Sequence, residues 1–218
     1  MNPSTLTSAL TLLSLLLTAC GPSDASKLLA GRLDLPASEV ATIKTLLHGT
    51  TVDVKQIKVF ERRTECKGCR HIVYAAGHIR ALHLPKAGLT RLPKLDALPR
   101  LERANLGDNA FQTLVGACGK ALRRLKLAGN AIKSVRFGPC PDLRELDLAK
   151  NKLEVFPKLE TPRLERLNLG FNALGSLAAP APMPSVRILN VDGTRLKSLE
   201  GLETYPRLDR LYARHNVL

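Results

Sequence analysis

The sequence predicts an α/β solenoid of about seven units, each 21–22 residues long, preceded by a small N-terminal cap. An eleven-residue segment recurs from residue 79 onwards, and its copies begin 22, 21, 21, 21, 22 and 22 residues apart. Within each copy, apolar residues alternate with mostly polar ones, as in a strand that buries one face. Hydrophobic residues make up 44% of the chain but aromatic residues only 4%, so the expected core is aliphatic.

The seven copies share the pattern LxxLxLxxNxL. They read IRALHLPKAGL, LERANLGDNAF, LRRLKLAGNAI, LRELDLAKNKL, LERLNLGFNAL, VRILNVDGTRL and LDRLYARHNVL. This pattern resembles the signature of the leucine-rich-repeat family, and the resemblance covers residues 79–218. It implies a horseshoe of the short bacterial or SDS22-like subclass, with parallel strands along its concave side. Because one unit cannot bury its leucines alone, neighbouring units must stack into a continuous core.

An asparagine column follows the strand of most units. Its members are Asn109, Asn130, Asn151, Asn172 and Asn216. In the family that the repeats resemble, this amide bonds to turn backbones of adjacent coils. Ala87 interrupts the column in the first unit, where an atypical capping repeat is expected, and Thr194 interrupts it in the sixth. We expect a local weakness at Thr194.

The segments that return from one strand to the next are rich in proline. The residues concerned are Pro93, Pro99, Pro139, Pro141, Pro157, Pro162, Pro180, Pro182, Pro184 and Pro206. Proline lacks a backbone donor and restrains the residue before it to extended conformations. We therefore expect short 3₁₀ or extended segments on the convex side instead of long helices.

The N-terminus has the features of an export signal. Residues 1–19 contain an uncharged apolar run that is short for a membrane span, and it ends in Leu17-Thr18-Ala19-Cys20-Gly21. This ending resembles the bacterial lipobox, although residues 2–10 lack the usual Lys or Arg. The resemblance implies a lipoprotein signal peptide, lipidation at Cys20 and a tether over residues 20–26. It places the protein in the bacterial cell envelope, and Gly21 favours the outer membrane. The alternative is an ordinary signal peptide in which Cys20 is incidental.

Residues 27–78 are expected to form the N-terminal cap. Within residues 36–48, Val40, Ile43 and Leu47 share one face of a predicted helix. Two apolar runs, around residues 52–59 and 72–74, predict strands that could form a hairpin.

Positions three and five of each strand are expected to face the concave side. We predict a ligand-binding surface from Arg103, Asn105, Arg124, Lys126, Glu145, Asp147, Arg166, Asn168, Asn190, Arg210 and Tyr212. The chain carries 33 Lys and Arg against 19 Asp and Glu, a formal net charge of +14, which favours acidic partners. An acidic protein segment or another acidic envelope ligand fits this surface, and export makes nucleic acid a poor candidate. The alternative is a solvated face without a ligand.

Four cysteines besides Cys20 allow three disulfide pairings. Cys118 and Cys140 occupy similar places in consecutive units, so we expect them to meet on the convex side. Cys66 and Cys69 would then pair locally. Haem attachment is rejected because Arg70 stands where His would follow Cys69, and no βαβ pattern supports a thioredoxin-type site. Zinc held by Cys66, Cys69 and a nearby histidine remains an alternative.

No serine–histidine–aspartate grouping, catalytic carboxylate pair or phosphate-binding loop is evident in the sequence. We therefore expect a non-catalytic, membrane-anchored binding module without a cofactor or metal. The alternatives are a passive structural lipoprotein and a CxxC thiol or zinc protein. The sequence ends at Leu218 within the seventh unit, so we expect either self-association or docking through an uncapped edge, or a frayed final unit.

Overall fold

A computed structural model describes residues 23–24, 35–48, 53, 56–61 and 70–218. Its elements are β1 (Ser23–Asp24), α1 (Ala37–Leu47), β2 (Lys58–Glu61), β3 (His71–Ala75), β4 (His78–His83), β5 (Arg103–Asn105), β6 (Thr113–Gly116), β7 (Arg124–Lys126), β8 (Ser134–Phe137), β9 (Glu145–Asp147), β10 (Lys158–Leu159), β11 (Arg166–Asn168), β12 (Ile188–Asn190) and β13 (Arg210–Tyr212). Two 3₁₀ turns span Leu95–Ala97 and Leu202–Thr204. The predicted lipidation site Cys20 and the pair Cys66 and Cys69 lie outside the described residues.

The central sheet has ten strands in the order β1-β2-β3-β4-β5-β7-β9-β11-β12-β13 within the described residues. From β4 to β13, each strand pairs in parallel with its neighbour, and position three always meets position three. Between the two outward positions, residues such as Leu125, Leu146 and Leu189 are fully buried. The predicted solenoid of stacked parallel strands is therefore confirmed, with about six turns.

The returning segments are extended or 3₁₀, as the prolines predict. Three of them form a second, parallel sheet in the order β10-β8-β6, hereafter the lateral sheet. The 3₁₀ turns occupy the first and sixth returns. Since α1 is the only α-helix among the described residues, the α/β class is not confirmed. The described repeats form a β-solenoid with little helix.

The asparagine column forms a hydrogen-bonded ladder between coils, as expected. Asn151 shows the pattern: its Oδ1 accepts the Ile132 N–H at 3.0 Å, one coil earlier. Its Nδ2 donates to the Leu127 carbonyl of that earlier coil at 3.0 Å and to the Leu148 carbonyl of its own coil at 2.9 Å. One buried side chain thus satisfies turn groups of two coils at once.

Thr194 continues this ladder only in part. It is fully buried, and its hydroxyl donates to the Val191 carbonyl within its own coil at 2.7 Å. It makes no bond to the Leu169 carbonyl, whereas the equivalent Asn172 donates to the Leu148 carbonyl of the coil before it at 3.0 Å. The link between the fifth and sixth coils therefore lacks the contact that asparagine supplies elsewhere.

The N-terminal region agrees with the predicted helix but not with the predicted hairpin. Val40, Ile43 and Leu47 of α1 are buried, as expected. The expected pairing of β2 with β3 as a hairpin is wrong, because these strands run parallel. The hairpin joins β3 to β4 instead, since Ala76 and Gly77 adopt positive φ angles of 49° and 69° and form a two-residue turn.

Glu39 connects α1 to the first strand of the solenoid. It is 1% exposed, and its carboxylate accepts hydrogen bonds from the Ile79 N–H at 2.8 Å and from His78 Nδ1 at 2.7 Å. A buried carboxylate is tolerated here because both of its oxygens are bonded.

The expected disulfide between adjacent coils is present. Cys118 and Cys140 are bonded, with their Cα atoms 5.1 Å apart and a sequence separation of 22. Both side chains are buried. The bond lies just beyond β6 and β8, so it links two consecutive returning segments next to the lateral sheet.

Candidate functional site: the concave face

The structure places all eleven predicted binding residues on the outward positions of the parallel strands. The position-three row contains Ala81, Arg103, Arg124, Glu145, Arg166, Ile188 and Arg210 in register. The position-five row contains His83, Asn105, Lys126, Asp147, Asn168, Asn190 and Tyr212. Parallel stacking at this register therefore brings together side chains that are 21 or 22 residues apart in sequence.

Position two adds a third row beside them. Each carboxylate in this row pairs with an arginine one coil earlier: Arg80 with Glu102 at 3.0 Å, Arg144 with Glu165 at 2.7 Å, and Arg187 with Asp209 at 3.1 Å. The net charge of the sequence does not reveal these pairs, because each carboxylate stands in the coil after its arginine. The positive charge of these three arginines is therefore neutralised within the protein.

Glu145 is the acidic residue in the middle of the position-three row. Its carboxylate lies 2.7 Å from Arg124 Nε and 3.7 Å from Lys126 Nζ. Two cations thus compensate this carboxylate, so it interrupts the basic surface less than its place in the sequence suggests.

In the rows at positions two, three and five, four arginines have no ion pair among the described residues, namely Arg103, Arg123, Arg166 and Arg210. The first three line one concavity of about 290 Å³. Its full lining is Glu102, Arg103, Arg123, Arg124, Arg144, Glu145, Glu165 and Arg166. Every glutamate of this lining is paired with a cation, so the five arginines exceed the three glutamates by two charges. We call this concavity the basic pocket.

The position-five asparagines and aspartate also have a local structural role. Their Oδ1 atoms accept the backbone N–H two residues further on, as in Asn168 to Gly170 at 3.1 Å and Asn190 to Asp192 at 2.9 Å. The same bond occurs at Asn105 and Asp147. These bonds stabilise the turn that follows each strand, a role that the sequence interpretation missed. The sequence carries a signal for these bonds, because in each of these turns an Asn or Asp stands two residues before a Gly, Ala or Asp.

A second concavity adjoins the basic pocket towards β13. It has a volume of about 210 Å³ and is lined by Glu145, Leu146, Asp147, Arg166, Leu167, Asn168, Ile188, Asn190 and Tyr212. Glu145 and Arg166 belong to both linings. Tyr212 is 38% exposed, and Ile188 is half-buried beside it. We call this the mixed pocket, because apolar side chains and amides line it together.

Burial changes the acidity of two groups of the position-five row. Burial raises the pKa of the Asp147 carboxyl above its usual value, opposed by the Ala149 N–H and by Lys126. Burial lowers the pKa of His83, assisted by His71 and Lys126. The His83 ring stacks on that of His71, with centroids 4.7 Å apart. The first coil therefore presents an imidazole that resists protonation.

This surface has the chemistry of an anion-binding groove. Guanidinium groups bind carboxylates and phosphates through paired N–H donors.

In the part of the chain that the structure describes, no group of three His, Cys, Asp or Glu side chains could hold a metal ion. In the same part, no helix is long and apolar enough to cross a membrane.

No protein-family model matches the chain. A Roc-COR-CHAT protease from an unknown prokaryotic organism is similar to it, with 31% identity over 144 residues. The match covers 59% of this chain but only 13% of that protein's length. The shared part is thus a small fraction of the larger protein, whose named activity cannot be assigned to this chain.

Proposed function

We propose that this chain is a membrane-anchored, non-catalytic binding module that holds an acidic protein ligand on the concave face of its solenoid. The observation that carries the proposal is the basic pocket, where Arg103, Arg123 and Arg166 have no carboxylate partner among the described residues. Unpaired guanidinium groups that face one concavity favour a ligand that supplies the missing carboxylates.

Membership of the leucine-rich-repeat family is part of the same proposal. It is supported by the seven copies of LxxLxLxxNxL, by parallel strands at the expected positions and by the asparagine ladder. Proteins of this architecture present an extended concave surface for binding. The function proposed here uses that surface and needs no reacting group.

Membrane anchoring is proposed from the sequence around Cys20. An apolar run followed by Leu17-Thr18-Ala19-Cys20 supports lipidation of the cysteine in the bacterial envelope, with the outer membrane favoured by Gly21. Mass spectrometry of the N-terminal peptide from the source cell tests this directly. A diacylglycerol-modified Cys20 is expected, and an unmodified thiol at that position would contradict the anchor.

Affinity capture from detergent-solubilised envelope tests the concave face. The bait is the full chain beside a variant in which Arg103, Arg123 and Arg166 are each replaced by Glu. The matched control replaces Lys133, Arg136 and Lys158 by Glu, since these exposed cations line a separate concavity at the lateral sheet. Both variants change the net charge by the same amount.

The proposal expects a partner that the wild type and the lateral-sheet variant retain and the concave variant loses. Circular dichroism confirms the fold of each bait, and replacing the same arginines by Gln provides a milder version. If both charge variants retain the same partner, the concave face is not the binding site. If no bait captures a partner, the concave arginines form only a solvated face and the proposal fails.

A further inference from the structure

We infer that the ligand is an extended peptide segment with a cluster of two or three carboxylates and one apolar side chain about four residues away. This inference rests on the proposed function and specifies the partner of the same face. Its basis is that the basic pocket and the mixed pocket form one continuous groove. They share Glu145 and Arg166, and together they extend from β5 to β13.

The basic pocket determines how many charges the ligand carries. Its lining has two more arginines than glutamates, and three of its arginines have no ion pair among the described residues. Two or three carboxylates would therefore balance the pocket. A longer acidic run would reach Asp147 in the mixed pocket and meet repulsion there, which limits the cluster to the basic pocket.

The mixed pocket determines the apolar part of the ligand. Ile188 and Tyr212 stand in adjacent strands, and the volume of about 210 Å³ lies below the range of roughly 300–1,000 Å³ typical of pockets for drug-sized ligands. The space suits one aliphatic or aromatic side chain. A peptide supplies such a side chain together with carboxylates on one backbone, so we take a peptide as the occupant.

Amide donors lie within the mixed pocket and favour a peptide backbone. The Oδ1 atoms of Asn168 and Asn190 are bonded to Gly170 and Asp192, so the Nδ2 groups are the remaining donors of both side chains. Within the described part of the chain, neither Nδ2 group has a hydrogen-bond partner. Side-chain amides that present N–H groups suit peptide carbonyls, which are acceptors.

Strand spacing gives the distance between the two parts of the ligand. Arg123 directly precedes β7, and Ile188 lies on β12, with β9 and β11 between these two strands. Three intervals of roughly 4.8 Å amount to about 14 Å. An extended peptide rises about 3.4 Å per residue, so about four residues span this distance.

Fluorescence anisotropy with synthetic peptides tests the inference on the full chain. The probe is fluorescein-Glu-Glu-Glu-Gly-Ser-Gly-Leu-amide, accompanied by the peptide of reversed order because the groove does not fix chain direction. One comparison peptide carries Gln in place of each Glu, and another carries Ser in place of Leu. The inference expects one orientation to bind, with each comparison peptide at least tenfold weaker.

Protein variants assign each part of the probe to its pocket. With the Arg123→Glu protein, the peptide that carries Glu should bind no more tightly than the peptide that carries Gln. With the Tyr212→Ser protein, the peptide that ends in Leu should bind no more tightly than the peptide that ends in Ser. Arg136→Glu and Val115→Ser are matched controls, because both side chains are exposed on the lateral sheet and should leave affinity unchanged. Ile188→Ser provides a second variant of the mixed pocket.

The outcomes separate this inference from the proposed function. If the Ser peptide binds as tightly as the Leu peptide while Arg123→Glu abolishes binding of both, the inference fails and the proposed function stands. If binding is insensitive to Arg123→Glu, both fail. Binding of vesicles that contain an acidic glycolipid, without binding of any peptide, would also overturn the inference.

Discussion

Replacing Asn151 by Ala should destabilise the solenoid much more than a similar change on the concave surface. Asn151 is 9% exposed, and its side chain joins two coils. Its Oδ1 accepts the Ile132 N–H, and its two Nδ2 hydrogens serve the carbonyls of Leu127, Leu148 and Ala149 at 3.0, 2.9 and 3.2 Å. Alanine would leave the buried Ile132 N–H without its acceptor, and the Leu127 and Leu148 carbonyls would each lose one of their donors, Asn130 and Asn172 remaining as the others.

The expected magnitude follows from the number of bonds. Asn151 accepts one hydrogen bond and donates two, at about 1 kcal/mol each, so its removal should lower the free energy of unfolding by about 3 kcal/mol. For a chain of this size, that loss corresponds to a decrease in Tm of about 6–12 °C. Asn151→Thr should lose about 2 kcal/mol, because a hydroxyl can keep one bond, as Thr194 does with Val191.

Urea denaturation followed by circular dichroism measures these differences. The matched control is Asn190→Ala, which removes one bond, to the Asp192 N–H at 2.9 Å, and should cost about 1 kcal/mol. The reasoning is refuted if Asn151→Ala costs no more than Asn190→Ala. It is also refuted if Asn151→Thr is as harmful as Asn151→Ala, because the hydroxyl would then restore nothing.

Three further predictions concern stability. Thr194→Asn should stabilise the protein by about 1 kcal/mol, since an amide there can reach the Leu169 carbonyl of the preceding coil. An unchanged midpoint of urea denaturation would show that the coil cannot accommodate the asparagine side chain. Glu39→Ala should destabilise the protein by about 2 kcal/mol, because it leaves the buried Ile79 N–H unbonded. A loss below about 0.5 kcal/mol in urea denaturation would mean that the carboxylate is dispensable. Burial lowers the pKa of His83 below its ordinary value of 6.5 in the folded state, so the unfolded state binds the proton more readily. Stability should therefore fall as pH decreases through 6.5. His83→Asn should flatten this dependence in thermal melts between pH 7 and 5, and an unchanged slope would exclude His83 as its cause.

The repeat period allowed the solenoid to be predicted from sequence. A spacing of 21 or 22 residues between leucine patterns leaves one way to stack the units, so the rows at positions three and five followed directly. Proline in the returns excluded long helices on physical grounds. The lateral sheet was not foreseen as a sheet, because extended segments such as β6 and β8 pair only once the coils are stacked.

The details that escaped prediction depend on contacts between coils or on backbone angles. The ion pair of Arg144 with Glu165 joins residues 21 positions apart, so the charge of a single strand does not reveal it. The hairpin of β3 and β4 turns on Ala76, a residue that rarely adopts a positive φ angle. Similarly, the residue before each ladder position is left-handed even where it is Lys150 or Phe171, because the turn imposes that angle.

Photo-crosslinking in the source cell tests the central claim most directly. A benzoylphenylalanine replaces Tyr212 within the groove, and a second protein carries it at Val115 on the lateral sheet. The account predicts a crosslinked partner from position 212 and none from position 115. It also predicts that the crosslink from position 212 is lost when Arg103, Arg123 and Arg166 are replaced by Gln. A crosslink from position 212 that survives those three substitutions, or the same partner from both positions, would contradict it.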